Sequence, residues 1–314
     1  MYAYIIRRLL MAVPTLLMVS IIVFSTIRLI PGSVVEMMVV EHGYAQNLEE
    51  LEHELGLDKP ILVQYGKWLW NLLHGDLGKS LWTSRPVTKE ILLRFPVTLE
   101  LALLAIFVSI LIAIPVGVYS AVRQDTLGDY IARSIAIACI TLPSFWVGTM
   151  VIVFPSIWWN WSPPMEFVSL FTNPLQNIQQ FILPALILGM IASGGMMRMT
   201  RTTMLEVLRQ DYIRTALAKG VKKKTVIFLH GLKNAIIPVV TMIGMLLPVL
   251  LGGSIIIETI FNVPGMGILT IEVLNSRDYP LLSGIVLCVS ILVVMTNIVV
   301  DICYAYLNPR IRYK

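Results

Sequence analysis

The residues that most resemble chemical motifs in this sequence lie between positions 42 and 80. Residues 75–80 read Gly-Asp-Leu-Gly-Lys-Ser, similar to the end of a P-loop, in which backbone N–H groups and a lysine hold nucleotide phosphates. A complete P-loop needs a glycine where Leu73 stands, and it follows a β-strand. His53 begins a zincin-like pattern, but Leu57 occupies the place of the second histidine. We therefore expect residues 75–80 to form a turn, and we predict no nucleotide site in this chain.

The other metal-ligating and nucleophilic residues lack the spacing of a site. Three histidines share one segment without an evident fourth ligand, and three cysteines lie inside apolar runs without paired spacing. These residues are His42, His53 and His74, and Cys139, Cys288 and Cys303. The apolar runs contain no Ser/His, Asp/Asp or complete His-Glu-x-x-His constellation. We predict no catalytic residues, no metal ligands and no cofactor-binding residues.

The composition indicates a membrane protein. Of the 314 residues, 57% are hydrophobic and 14% are charged, whereas an average soluble domain has about 25% charged residues. Six uncharged runs can cross a hydrocarbon core about 30 Å thick, although the fourth is at the short limit. They are residues 9–27, 101–122, 134–161, 181–197, 235–257 and 281–300. The sequence therefore predicts an all-α membrane protein with six transmembrane helices, and not a soluble enzyme or a nucleic-acid-binding protein.

Lysine and arginine are distributed unevenly among the connections. Residues 157–180 contain neither and residues 258–280 contain only Arg277, whereas residues 198–234 and both chain ends are rich in them. Basic connections remain in the cytoplasm. We therefore expect both termini in the cytoplasm. This gives a first helix within residues 1–30, an extracytoplasmic segment at 31–97, and a five-helix core at 98–314 whose cytoplasmic loop is 198–234.

The extracytoplasmic segment carries two helix patterns. Asn47 and Glu50 form an N-cap and capping-box pair, and Gly56 ends the helix that they begin. Pro60 is expected to open a second short helix that continues to Leu73. Six tryptophans lie in or beside outward-facing segments, where their rings favour the headgroup level of the membrane. They are Trp68, Trp70, Trp82, Trp158, Trp159 and Trp161.

None of the predicted spans has an ionisable residue near its middle. Glu100 and Glu258 lie near span ends, as do Arg28 and Asp301. Secondary carriers and proton pumps usually carry such residues at the midplane, so a stand-alone carrier or channel is the weaker alternative. The polar candidates for lining a pathway are Ser144, Thr149, Ser193, Thr241, Ser254 and Asn297. We expect the energy for any transport to come from outside this chain.

The cytoplasmic loop contains a short helix that can dock against a partner. Asp211 is the predicted N-cap and Gly220 the predicted left-handed residue after its end. The two turns between them carry the small residues Ala216 and Ala218. A second helix, starting near Thr225, runs into the fifth span. A rigid knob joined to a membrane helix can pass rigid-body motion from a soluble partner into the bundle.

The loop reads Tyr-Ile-Arg-Thr-Ala-Leu-Ala-Lys-Gly from Tyr212 and His-Gly-Leu-Lys-Asn-Ala from His230. It resembles, almost residue for residue, the loop of permease subunits of bacterial ATP-binding-cassette importers of the dipeptide, oligopeptide and nickel group. The wider family pattern is Glu-Ala-Ala, three residues, Gly, nine residues and Ile-x-Leu-Pro, of which only Ala216, Gly220 and Leu232 are matched. The departure removes any expected glutamate contact but keeps the docking role. Matching stretches extend along nearly the whole chain, at residues 7–10, 28–32, 55–60, 75–80, 141–145, 198–201, 258–267 and 301–310.

The resemblance implies a type I importer permease fold with several partners. These are a related second permease subunit, two cytoplasmic ATPases that bind ATP and Mg, and an extracytoplasmic solute-binding protein. The residues implied to couple to the ATPases are Asp211, Tyr212, Arg214, Thr215, Ala216, Ala218, Lys219, Gly220 and His230. Those implied to contact the binding protein or form a gate are Glu258, Phe261, Pro264, Gly265 and Gly267, with a purely structural turn as the alternative. Peptides are the expected cargo, and nickel chelates, glutathione or haem are the alternatives.

Overall fold

The computed structural model describes residues 2–29, 53, 58–164 and 166–307. The predicted helix at 47–56 and the family stretch from Asn308 onward lie mostly or wholly outside these residues. The helices in the described part run in the order α1 Tyr2–Leu29, α2 Ile61–Leu73, α3 Val87–Val122, α4 Leu127–Thr141, α5 Ser144–Trp159, α6 Pro174–Leu208, α7 Asp211–Ala218, α8 Lys233–Gly253, α9 Ile255–Ile260, α10 Met266–Ser276 and α11 Tyr279–Leu307. A helical turn, Lys223–Thr225, and a π-helical segment, Val226–Leu232, lead into α8. The predicted all-α fold is confirmed.

Five helical stretches in the described residues are long and apolar enough to cross a membrane, and a bent helix pair can supply the sixth. The predicted third span, residues 134–161, falls on two helices, α4 and α5, which meet at an angle of 94° and together make the sixth candidate span. Pro143 causes the break: proline lacks a backbone N–H and disfavours the helical region for the residue before it. Leu142 accordingly has φ −74° and ψ 124°.

Several helices extend beyond the uncharged runs that predicted them. α3 begins at Val87 rather than near 101, and α6 runs from Pro174 to Leu208 rather than from 181 to 197. The fifth run is interrupted, because α8 ends at Gly253 and α9 begins at Ile255. Hydropathy marks only the part of a helix that lipid or core surrounds, so the polar turns at each end are missed.

The centre of the bundle is the α3–α6 pair. Leu101 and Phe181 are fully buried in one apolar cluster with Ile257 and Phe261. Gly189 allows the two helices to approach closely, because a Cβ there would lie 2.7 Å from the carbonyl oxygen of Ala105. The outer helix faces expose large apolar side chains, as lipid or a second membrane subunit requires. Those on α1 and α3 include Leu10, Val13, Met18, Leu103, Phe107 and Leu111.

The second helix predicted within residues 31–97 is present as α2, which begins directly after Pro60 and ends at Leu73. It packs on α1 through Phe24, whose ring lies 5.3 Å from that of Tyr65 and 5.5 Å from that of Trp68. The P-loop-like stretch at 75–80 is a turn, as predicted, in which the Gly78 N–H donates to Asp76 Oδ1 at 2.8 Å. A β-bridge joins Lys79 and Pro86 after it.

Candidate functional site

The short helix predicted in the loop at 198–234 is present as α7, Asp211–Ala218. Its N-cap is Gln210, in extended conformation, so the predicted capping role of Asp211 is wrong. Asp211 instead lies in the first turn, where its carboxylate complements the helix dipole and reaches Arg214 Nη1 at 3.6 Å. Ile213 is 2% exposed and fixes the underside of α7 to the bundle. We call α7 the coupling helix.

The C-terminal end of the coupling helix is a Schellman motif. Gly220 has φ +80°, and its N–H donates to Leu217 O at 3.0 Å. The Val221 N–H donates to Ala216 O at 3.2 Å, which completes the paired bonds of the motif. A side chain at Gly220 would be strained in this left-handed conformation. The predicted role of Gly220 as the helix stop is therefore confirmed.

A polar latch joins the coupling helix to the membrane helix that follows it. The Asn234 amide donates to the Tyr212 hydroxyl and to the His230 carbonyl, each at 3.0 Å. The Tyr212 hydroxyl also lies 3.4 Å from the His230 carbonyl oxygen, to which it donates. The π-helical segment Val226–Leu232 places these groups beside one another, directly before α8. These hydrogen bonds join the coupling helix directly to the start of α8.

The coupling helix and the π-helical segment present an exposed apolar surface. Ala218, Lys219 and Thr215 are exposed, as predicted for residues that contact a partner. The larger apolar side chains of this surface, which were not among the predicted contact residues, are Leu217, Phe228 and Leu229, each 46–58% exposed. The sequence could have indicated these residues, because apolar residues between the lysines of a basic loop have no lipid to face.

A buried carboxylate fixes the helices around the base of this loop. Asp129 has no solvent exposure and receives the Arg201 Nε and Nη2 groups, each at 2.8 Å. The Ser120 hydroxyl and the Asp125 N–H also donate to it. This Asp129 clamp joins α3, the α3–α4 turn, α4 and α6. The sequence analysis did not single out Asp129; its signal was an acid at the start of an apolar helix, next to basic connections.

A second buried carboxylate joins α9 to α3 and to the first turn of α10. Glu258, on α9, is fully buried and accepts the hydroxyls of Thr98 at 2.8 Å and Ser254 at 2.7 Å. Its other oxygen accepts the Gly267 N–H at 2.7 Å, in the first turn of α10. The Thr98 hydroxyl also accepts the Met266 N–H at 2.7 Å. A carboxylate is stabilised at this position because it satisfies unpaired N–H groups and meets the positive end of the helix dipole.

Glycine is required at two positions near Glu258 because a side chain would not fit there. A Cβ on Gly267 would lie 2.6 Å from the Ile255 Cα, a contact that neither residue can relieve by a side-chain rotation. Gly265 is packed similarly, with its Cβ position 2.6 Å from Glu258 Cδ. Phe261 is 2% exposed, so of the predicted gate residues only Pro264 retains partial exposure. In this conformation the segment holds the fold together, and its contact with a binding protein stays a prediction.

Comparison with known proteins shows the family to which this chain is similar. The description "Binding-protein-dependent transport system inner membrane component" matches residues 113–313, and the N-terminal component of the same systems matches residues 1–102. The chain belongs to this family of transporter permeases.

Similar proteins cover the whole chain. A putative peptide transport system permease of Brucella abortus (strain 2308) is 40% identical, with 100% of both chains covered. The dipeptide transport system permease of Escherichia coli (strain K12) is also 40% identical over the full length of both. An inward-facing methionine ABC transporter has a TM-score of 0.56 at 16% identity, covering 70% of this chain and 97% of that one, which shows a shared fold.

Three of the predicted pathway residues of this permease form hydrogen bonds within their own helices. Thr149, Ser193 and Thr241 each donate to a carbonyl of their own helix, three or four residues earlier. Ser254 belongs to the Glu258 network, and Asn297 is exposed on α11. Ser144 is half-buried at the start of α5. Their role in lining a pathway stays a prediction.

A third buried carboxylate, which the sequence analysis did not single out, joins the permease's α10–α11 corner to the turn after α2. Asp278, 2% exposed, accepts the Ser80 hydroxyl at 2.5 Å and the Leu81 N–H at 3.1 Å. It also accepts the Leu281 N–H at 3.2 Å, as an N-cap of α11.

Within the described residues, no group of three or more His, Cys, Asp and Glu could hold a metal ion.

Proposed function

We propose that this chain forms one half of the membrane pathway of an ATP-driven, binding-protein-dependent importer of short peptides. Its membership of the permease family and its full-length similarity to peptide and dipeptide transport permeases support this function. The partners are a related second permease subunit, two ATPases that hold ATP and Mg, and a solute-binding protein. The chain lies in the bacterial cytoplasmic membrane with both termini inside.

The observation that carries this proposal is the exposed coupling helix, which is rigid and joined to the bundle. Its underside is anchored by Ile213, and its free surface presents Leu217 and Ala218. The Tyr212–Asn234 latch connects it to α8 at 3.0 Å. A soluble partner that grips such a knob can move membrane helices without entering the membrane.

The Asp129 clamp extends this movement to other helices. Because Arg201 lies on α6, shortly before the coupling helix, and Asp129 on α4, the two move together with the end of α3 that carries Ser120. We expect ATP binding to draw the two coupling helices of the assembly together and open the pathway outward. Hydrolysis then restores the inward-facing arrangement.

Site-specific crosslinking tests the proposed contact. In a cysteine-free background, Ala218→Cys is expected to crosslink to the ATPase, because Ala218 is exposed on the coupling helix. Thr172→Cys is the matched control, since Thr172 is also exposed but precedes α6 at its other end. Crosslinking of the ATPase by the Thr172→Cys variant and not by the Ala218→Cys variant would refute both the docking surface and the orientation.

A charged substitution tests the consequence for transport. Leu217→Asp places a carboxylate in the apolar docking surface, and we expect it to lower ATP-driven peptide uptake about tenfold. The membrane assembly should still fold, because the Leu217 side chain is 46% exposed in the isolated chain. Undiminished uptake by this variant would show that the surface is not the energy-coupling contact.

A further inference from the structure

Four buried polar atoms on α3 and α6 have no hydrogen-bond partner among the described residues. They are Glu100 Oε1, Asn177 Oδ1, Gln180 Oε1 and Gln180 Nε2. Asn177 is 1% exposed and Gln180 is 2% exposed. Buried polar atoms are almost always paired in native proteins, so these four atoms are available to a bound polar group. We call these three residues the amide–carboxyl cluster.

The cluster lies where the α3–α6 pair begins its apolar stretch. Asn177 and Gln180 are three residues apart on α6 and therefore lie on one face of that helix. The Asn177 side chain lies beside the Glu100 carboxyl on α3. The Asn177 amide also donates to Val168 O at 3.0 Å, so the connection before α6 covers the cluster. In the proposed orientation this is the extracytoplasmic end of the pair.

The charge of the cluster defines the chemistry of its ligand. No basic group in the described part of the chain lies within 4 Å of the Glu100 carboxylate. A carboxylate at a membrane-helix end, with one oxygen buried, is stabilised by a cation. The cluster therefore fits a cationic group that donates several hydrogen bonds.

A primary ammonium group matches the cluster in the number of hydrogen bonds that it can donate. It has three N–H donors, and the cluster offers three oxygen acceptors, one each from Glu100, Asn177 and Gln180. The remaining atom, Gln180 Nε2, is a donor suited to a carbonyl oxygen. The amino-terminal residue of a peptide carries both an ammonium group and, two atoms away along the backbone, a carbonyl.

We propose that Glu100, Asn177 and Gln180 bind the amino-terminal ammonium group of a transported peptide at the outer end of the α3–α6 pair. This proposal rests on the proposed function, since it assigns part of the cargo to residues of this chain. The peptide reaches the site when the covering connection at Val168 moves aside in an outward-open conformation.

The test uses the complete importer in proteoliposomes and compares two probes. The first is labelled dialanine and the second is N-methyl-dialanine, whose ammonium group has one N–H fewer. We expect Glu100→Gln to lower dialanine uptake about tenfold, as loss of a charge-assisted hydrogen bond predicts. The ratio of dialanine uptake to N-methyl-dialanine uptake should also be at least threefold smaller in the variant than in the wild type. Because the binding protein is unaltered, its own preference cancels in this comparison.

Two control variants separate binding from folding. Gln180→Leu removes the amide and should behave like Glu100→Gln, whereas Gln179→Leu alters the exposed neighbouring residue and should leave uptake and preference unchanged. If Glu100→Gln lowers the uptake of both probes equally, its role is structural and the proposal is overturned. Wild-type uptake and preference in Glu100→Gln would overturn it too, because the charge of Glu100 would then make no contribution to peptide recognition.

An ion-replacement experiment distinguishes the ammonium group from an alkali ion. Replacing Na⁺ and K⁺ with choline should leave wild-type dialanine uptake unchanged. A fall in uptake that is absent in Glu100→Gln would assign the cluster to an alkali ion and overturn the ammonium assignment. If the wild-type importer hydrolyses ATP but takes up neither peptide, the proposed function itself fails, and the assignment fails with it.

Discussion

Arg201 donates both Nε and Nη2 to the two carboxylate oxygens of Asp129, each at 2.8 Å, where Asp129 has no solvent exposure. The two residues are 72 positions apart in sequence and belong to different membrane helices. A planar guanidinium matches a carboxylate in this two-bond arrangement, which fixes direction as well as distance. The pair therefore holds α4 and α6 in one relative position beside the coupling helix.

Removing one partner of this pair should destabilise the chain strongly. Asp129→Asn leaves the Arg201 charge, whose side chain is 17% exposed, without its carboxylate partner, and breaking a buried pair typically costs about 3–5 kcal/mol. We expect a clear fall in the thermal unfolding temperature of the purified assembly. Asp125→Asn is the matched control, because Asp125 is exposed and asparagine also tolerates its left-handed conformation. Equal unfolding temperatures for the two variants would show that the pair contributes no stability.

A methyl group at Gly267 should disrupt the Glu258 network. The added Cβ of Gly267→Ala would lie 2.6 Å from the Ile255 Cα, so backbone must shift, at a cost of about 1–3 kcal/mol. Gly252→Ala is the control, since nothing lies within 4 Å of a Cβ there. Thermal unfolding of both variants measures the difference. A Gly267→Ala chain as stable as Gly252→Ala would contradict the close packing described above.

The end of the coupling helix should be equally sensitive to substitution. Gly220→Ala forces a Cβ into a left-handed conformation at φ +80°, which costs about 1–2 kcal/mol. We expect less peptide to be taken up per ATP hydrolysed, because the last turn of α7 loses its fixed geometry. Gly66→Ala, in α2, serves as the control because its Cβ meets no atom within 4 Å. An unchanged uptake-to-hydrolysis ratio in Gly220→Ala would show that this cap is not needed for coupling.

The Tyr212 hydroxyl should matter for coupling more than for stability. Tyr212→Phe removes the 3.0 Å hydrogen bond from Asn234 but keeps the ring, at a cost of about 1 kcal/mol. The uptake-to-hydrolysis ratio should fall, while the unfolding temperature changes little because Tyr212 is 44% exposed. Tyr130→Phe, another exposed tyrosine, provides the comparison. Identical ratios in both variants would exclude the latch as a transmitting contact.

The parts of the structure that the sequence predicted are those set by local chemistry. The end of α7 follows from one glycine, and the start of α2 follows from Pro60. The Thr98–Glu258 and Ser80–Asp278 contacts join residues 160 and 198 positions apart, and no local pattern specifies such partners. The bend at Pro143 was missed because the apolar run continues on both sides of it, and hydropathy does not register a change of direction.

The proposed function requires that ATPases acting on the coupling helix move this chain, which harvests no energy itself. Reconstitution tests it most directly, by measuring dialanine uptake into liposomes that hold either the purified chain alone or the full assembly with binding protein and internal ATP. The account predicts uptake against a gradient only by the full assembly, and much less of it when Leu217→Asp weakens the ATPase contact. Passive equilibration of dialanine by the chain alone would contradict it.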